Sequence, residues 1–159
     1  MNVQFRVIPI PDDRDIMHIV ATWSMSEWGD DFPDDSIDTY TNLYRQSQES
    51  RNGIPRVFIA MDQDEQPVGT ITFIADDELP DATESGPWLA ALYVLPDFRG
   101  HGVGRALVDC VITHARTHGY SDLYLYTSDQ VSWYEDMGWT SLRHAMLGNQ
   151  RVTVMSYSL

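Results

Sequence analysis

Apolar and polar side chains alternate from the start of the chain. Val3, Phe5 and Val7 are separated by Gln4 and Arg6, the period of a half-exposed strand, and Pro9 and Pro11 end it. The period then lengthens. Asp12, Asp13 and Asp15 supply a cap and first-turn acids for a helix whose predicted buried face is Ile16, Ile19, Val20 and Trp23, stopping near Gly29. A second helix is predicted after Pro33, capped by Asp34 or Asp35, with Ile37, Tyr40 and Tyr44 on one face and its end before Asn52-Gly53. Residues 56–61 and 68–74 are β-rich runs joined by an acidic linker of hairpin length, so they should pair antiparallel. Residues 75–86 hold five acids and little apolar content, which reads as a mobile solvated loop or as a rim for a binding site.

The sharpest change of period lies at residues 88–104. Residues 88–94 form a nearly unbroken apolar run, Pro96 forbids its continuation in a central strand, and from Val103 a helical stripe begins with Ala106, Leu107, Cys110 and Val111. Gly100, Gly102 and Gly104 lie between, preceded by Arg99. Glycines there let backbone approach a ligand, and the free N–H groups of a helix start form an anion site. The reading is a pyrophosphate cradle; the plain alternative is an ordinary glycine-rich turn. Two better-known phosphate loops are excluded by spelling. A Walker loop needs Gly-Lys-Ser/Thr and the chain has no lysine, while the third glycine of a dinucleotide fingerprint is replaced by Arg105 or Leu107 according to register.

Past the helix, which should end at Gly119 after His118, a strand is predicted at 123–127 and a short helix at about 131–137. Two last strands, 139–144 and 151–157, flank the hairpin signal Gly148-Asn149. His114 and His118 have metal-compatible spacing but no third ligand, so no metal is expected. At 159 residues a single domain spanning 1–159 is expected, and the lone Cys110 excludes an internal disulfide and reads as a small core residue. No leader pattern and no run of membrane-span length is present, so a soluble, cytoplasmic protein without membrane contact is expected.

The net charge of −14 is placed unevenly: residues 1–87 hold 18 acids against 5 arginines, and the remainder 6 against 5. Such a field opposes nucleic-acid binding and attracts cations. A cationic acceptor is the expectation, with surface habit as the alternative.

Arg99-x-x-Gly102-x-Gly104 resembles the Arg-x-x-Gly-x-Gly signature of the GCN5-related N-acetyltransferases (GNAT), and 133–139, Trp-Tyr-Glu-Asp-Met-Gly-Trp, resembles the family's aromatic-Tyr-x-x-x-Gly-aromatic ending. The order of predicted elements is also similar to that family's. The resemblance implies the acyl-CoA N-acyltransferase fold of the α+β (mixed α/β) class: a central mixed, mostly antiparallel sheet of about seven strands flanked by about four helices. It implies that acetyl-CoA is co-substrate and that its pyrophosphate lies on Arg99, Gly100, His101, Gly102, Val103, Gly104 and Arg105. Leu92, Tyr93 and Val94 would then meet the pantetheine arm, joined by Thr127 where the family often has asparagine.

The implied reaction is acetyl transfer to a primary amine of a small molecule or peptide N-terminus, with Tyr134 as general acid. The base many members carry near the central strand is apolar here, at Trp88 and Leu89. Glu27 and Asp129 are the candidates, with water-relayed deprotonation or an already neutral amine as the default. Glu27-Trp28 and Thr127-x-Asp129-Gln130 also resemble acetyltransferases of peptide N-termini, including the actin-modifying group. A polyamine, an aminoglycoside-like amine or a peptide with a basic N-terminal region would fit the acidic first half. A silent acyl-CoA sensor and a partner-binding module stay open as other classes, and a homodimer stays open as an assembly.

Overall fold

A computed structural model describes residues 3–159; Met1 and Asn2, the start of the stretch read for a leader, lie outside the described residues. The elements run β1 (Phe5–Pro9), α1 (Arg14–Trp28), α2 (Ile37–Glu49), β2 (Arg56–Asp62), β3 (Pro67–Ile74), β4 (Trp88–Val94), α3 (Val103–Thr117), β5 (Asp122–Thr127), α4 (Val131–Asp136), β6 (Thr140–Leu147) and β7 (Gln150–Ser158). All seven strands form one mixed sheet in the order β1-β2-β3-β4-β5-β7-β6. Only β4 and β5 are parallel neighbours; the predicted β2–β3 pair and the β6–β7 hairpin are both antiparallel, as expected.

β2 explains why a continuous apolar run reads as a strand without alternation: it is buried on both faces. Val57, Ile59 and Met61 pack under α1 and α2 with Met17, Val20, Ala21 and Tyr44. Phe58 and Ala60 face α3, whose Val103, Leu107, Val108, Val111, Ile112 and Ala115 form its buried stripe. Each large side chain so buried contributes roughly 1.5–3 kcal/mol. Gly69 in β3 lets this helix come close, since a Cβ there would sit 3.1 Å from Leu107 and 3.3 Å from Val103.

Three expectations are corrected. The buried face of α1 is Met17, Val20, Ala21 and Ser24, and Ile19 is exposed. The helix is turned by about one residue, which brings Trp23 onto Tyr93 of β4, ring centroids 5.6 Å apart. The cap of α2 is Ser36, in a reciprocal capping box with Thr39, and not Asp34 or Asp35. Residues 75–86 are tied down at two points and are not simply solvated. Leu79 is buried with Trp88, Leu147, Val152 and Val154, and Glu84 accepts from Arg143 Nε at 3.2 Å. No helix among the described residues is long and apolar enough to cross a membrane.

Candidate active site

The site begins where the sheet comes apart. β4 and β5 share one register pair, Trp88 with Tyr124, closed by the Tyr124 N–H on the Pro87 carbonyl at 3.0 Å. Beyond it the edge of β4 has no strand beside it, so its backbone groups are free for a ligand. A bulge turns that edge further. β3 meets β4 at Thr70–Tyr93 and Thr72–Ala90, so Ala91 and Leu92 both stand against Ile71, and Ala91 takes φ 54°. A left-handed alanine costs roughly 1–2 kcal/mol. Strain of this kind persists where the surroundings hold it, and it concentrates at functional sites. Leu92, Tyr93 and Val94 line the resulting cleft, whose volume is about 1030 Å³.

After β4 a single 3-10 turn (Pro96–Phe98) redirects the chain to the glycine loop. Arg99 reaches back, its Nε donating to the Val94 carbonyl at 2.9 Å and its guanidinium 5.5 Å from the Tyr93 ring centroid. Gly100 and Gly102 have φ 77° and 86°, and a Cβ on either would meet nothing within 4 Å. Glycine is thus required there by conformation, and open space stands over the loop. Gly102 is the N-cap of α3 and no side chain caps it, so the first-turn amides remain available to an anion.

The predicted loop residues fall into different places. Arg99, Gly100, Gly102, Gly104 and Arg105 line the cleft. Val103 is buried in the core and can offer only its amide, and His101 is exposed and outside the cleft lining. Gly104 is helical; a Cβ there would stand 3.3 Å from Trp133, so its role is to seat α4 against α3.

α4 carries the predicted acid. Tyr134 is 6% exposed and lies edge-on to Trp133 and Trp139, at 4.9 and 5.8 Å between ring centroids. It lines the cleft, and its hydroxyl has no hydrogen-bond partner among the described residues. Burial, and then the charge of Asp129, push the phenol above its ordinary range, so it keeps its proton at neutral pH. Thr127 lines the same wall, its Oγ1 accepting from the Gln130 N–H at 3.1 Å while its own proton stays free to donate. Glu27 and Asp129 also line the cleft, Glu27 as an exposed residue near the end of α1.

The opposite end is acidic. Asp31 and Asp35 from the segment after α1, and Asp76, Asp77 and Glu78 from the segment after β3, line it with Tyr40 and Tyr126. The Tyr126 hydroxyl donates to the Asp77 carbonyl at 3.2 Å, and the Tyr40 hydroxyl to Asp35 Oδ2 at 3.3 Å. Burial, then Glu78 and Asp76, raise the Asp77 carboxyl well above the usual carboxylate range, with the Tyr126 phenol partly opposing. Burial, then Asp77, Glu78 and Asp31, raise Tyr126 in turn. From the sequence Tyr40 is only a face residue of the second helix and Asp77 and Tyr126 have no role of their own; the one signal is the acid run after a strand, which reads as a mobile solvated loop with a rim as the alternative. The cleft is therefore bipolar, with Arg99, Arg105 and the helix start at one end and carboxylates at the other.

His114 and His118 lie elsewhere. Nε2 of His114 is 2.7 Å from the Gly53 carbonyl, Nδ1 of His118 is 2.9 Å from the His114 carbonyl, and no third ligand joins them among the described residues.

The Acetyltransferase (GNAT) family model matches residues 17–139. No curated protein matches the chain significantly. Several solved structures are similar. The NatC complex bound to Gag peptide and CoA aligns with TM-score 0.75 at 18% identity, covering 98% of this chain and 99% of that one. An aminoglycoside 6'-acetyltransferase type Ii aligns with TM-score 0.74 at 18% identity and 96% of each chain. An aminoglycoside 6'-N-acetyltransferase complexed with coenzyme A aligns with TM-score 0.72 at 15% identity, again over 96% of each. At these identities the likeness carries the fold, and the family match carries the class. Since that match spans the splayed strands, the glycine loop and the tyrosine wall, the chain belongs to the GNAT acetyltransferases, acyltransferases whose co-substrate is an acyl-CoA.

Proposed function

We propose that the protein transfers the acetyl group of acetyl-CoA directly to a primary amine of a cationic small molecule or peptide N-terminus. The observation that carries this reading is the bipolar cleft, with an anion-binding loop at one end, an acidic end at the other, and the unpartnered Tyr134 hydroxyl in its wall. The pyrophosphate rests on the amides of residues 100–105 with Arg99 and Arg105, while the pantetheine arm runs along Leu92, Tyr93 and Val94 beside Thr127. The amine nitrogen attacks the thioester carbon, the N–C bond forms and the C–S bond breaks. Tyr134 gives its proton to the departing thiolate. The attacking nitrogen loses its proton to Glu27 or Asp129, directly or through water, and the bulged edge of β4 offers backbone donors to the oxyanion.

A negative end concentrates cationic acceptors and speeds their encounter, an effect that salt screens. It also stabilises the ammonium that cannot attack, so activity should rise toward alkaline pH. Thiol release from acetyl-CoA with matched cationic, neutral and anionic amines at low and high salt tests the reading. The cation should have the largest kcat/KM, and salt should lower it; a faster anion, or a salt-independent cation, would overturn the acceptor assignment.

A further inference from the structure

Resting on the pyrophosphate cradle of the transfer reading, we propose that Tyr93 is a positioning residue: its ring, backed by Trp23 of α1, holds the Arg99 guanidinium in the pose that meets the pyrophosphate of acetyl-CoA.

The bulge in β4 puts this ring where it is. Leu89 before the bulge, and Leu92 and Val94 after it, all pack in the core on the α3 side. In an unbroken strand side chains alternate, so residues 89, 91 and 93 would share that face. The extra residue at Ala91 shifts the count by one, and Tyr93 passes to the opposite face. The register agrees. Tyr93 stands beside Thr70 and Thr70 beside Ile59, and Ile59 packs with Met17, Val20 and Ala21 of α1. Trp23, half-buried at the margin of that core, meets the Tyr93 ring at 5.6 Å between centroids, with 40° between the planes.

The guanidinium is fixed at two points. Its Nε donates to the Val94 carbonyl at 2.9 Å, and its Cζ stands 5.5 Å from the centroid of the Tyr93 ring. The terminal nitrogens have no hydrogen-bond partner and no carboxylate beside them among the described residues. A planar fork held from behind, with its terminal donors unspent in the cleft, suits contact with phosphate oxygens. Freezing a rotamer-rich side chain at the moment of binding costs affinity. Here the free protein already orders the side chain, through the bond to Val94 and the attraction between cation and ring. Of the two arginines that line the cleft, only Arg99 stands against a ring; Arg105 is exposed. The ring, and not the hydroxyl, supplies this contact, so phenylalanine can replace tyrosine and leucine cannot.

The experiment is a double-mutant cycle on CoA affinity, measured by calorimetry on the parent, Tyr93→Leu, Arg99→Met and the pair. Loss of the ring should weaken CoA about three- to thirtyfold, the range of a cation–ring contact from exposed to desolvated sites. In the Arg99→Met background the same substitution should change affinity by less than about twofold. Tyr93→Phe should restore binding, and Trp23→Leu should show a smaller loss with the same dependence on Arg99. With acetyl-CoA as substrate the Tyr93→Leu loss should fall on KM more than on kcat, and S-acetylpantetheine, which has no pyrophosphate, should be far less affected. Equal losses for Tyr93→Leu in the two arginine backgrounds, or equal losses for acetyl-CoA and S-acetylpantetheine, would show the ring acting on the pantetheine arm and overturn the positioning role. If Tyr93→Leu does not fold, the cycle of Trp23→Leu with Arg99→Met decides by the same criterion. A parent that binds no CoA overturns the cradle and the positioning role with it, whereas CoA binding that Tyr93→Leu leaves unchanged overturns the positioning role alone.

Discussion

Tyr134→Phe isolates the proton that the thiolate needs. The ring keeps its edge-on contacts with Trp133 and Trp139, and the lost hydroxyl has no hydrogen-bond partner among the described residues. No internal hydrogen bond is removed, so stability should change by less than about 1 kcal/mol. The transition state is another matter. Burial, and then Asp129, raise the phenol above its ordinary value, so the proton is in place when the C–S bond breaks, and desolvation likewise disfavours a bare thiolate. A general acid is worth ~10²–10⁴-fold, or about 2.7–5.5 kcal/mol of barrier. The loss should fall on kcat, leaving the KM for acetyl-CoA little changed, because the hydroxyl acts chiefly as the C–S bond breaks. Single-turnover thiol release with saturating amine is the assay, since slow product release would hide a chemical defect. In the parent the alkaline limb from tyrosine ionisation should lie above pH about 10, the ordinary phenol value. A single-turnover rate equal to the parent's would remove Tyr134 from the mechanism.

Other expectations follow from single positions. Gly102→Val forces a side chain to φ 86° and puts its methyls in the open space over the loop, so CoA affinity by calorimetry should drop; equal affinity would refute the pyrophosphate cradle. Folded Asp77 holds its proton more tightly than the unfolded chain, so the native state loses stability as pH rises from the unfolded pKa of about 3.9 through the raised value. Asp77→Asn should therefore raise Tm at pH 7–8 and not at pH 3, and an equal shift at both would show the carboxyl to be unperturbed. Cys110 is half-buried and burial raises its thiol, so it should alkylate more slowly at neutral pH than a free thiol; fast modification would contradict its placement against the core. Arg143→Ala removes the Glu84 tie, one of the two that hold residues 75–86, and should lower kcat/KM for the amine while leaving CoA affinity unchanged; a loss confined to CoA binding would contradict the placement of this segment at the acceptor end.

What could be read from the sequence was local. The strand, loop and helix at 88–117 declared themselves because an apolar run gives way to glycines and then to a helical period, and α3 starts at Val103 as that change of period requires. The face of α1 departs from the expected one chiefly at Ile19, which is exposed: Met17, Ala21 and Ser24 are buried against β2 and α2, while Ile16 and Trp23 pack partly buried at the margin of that face. Ser36 displaced the neighbouring aspartates as a cap because its exchange with Thr39 satisfies two backbone groups' needs at once, and Asp35 instead receives Tyr40. The burial of Leu79 has no signal in its polar surroundings, because the partners that bury it at Leu147, Val152 and Val154 are far along the chain. Asp77 and Tyr126 meet only because the sheet order brings the segment after β3 over β5. No local spacing encodes that meeting, and an alanine at a left-handed bulge leaves no spelling to find.

A crystal structure of the protein with CoA and a cationic amine acceptor tests the central claim most directly. The account predicts the pyrophosphate on the amides of residues 100–105, the CoA sulfur within hydrogen-bonding distance of the Tyr134 hydroxyl, and the acceptor's ammonium at the acidic end of the cleft. A sulfur remote from Tyr134, or an acceptor bound outside the acidic end of the cleft, would contradict it.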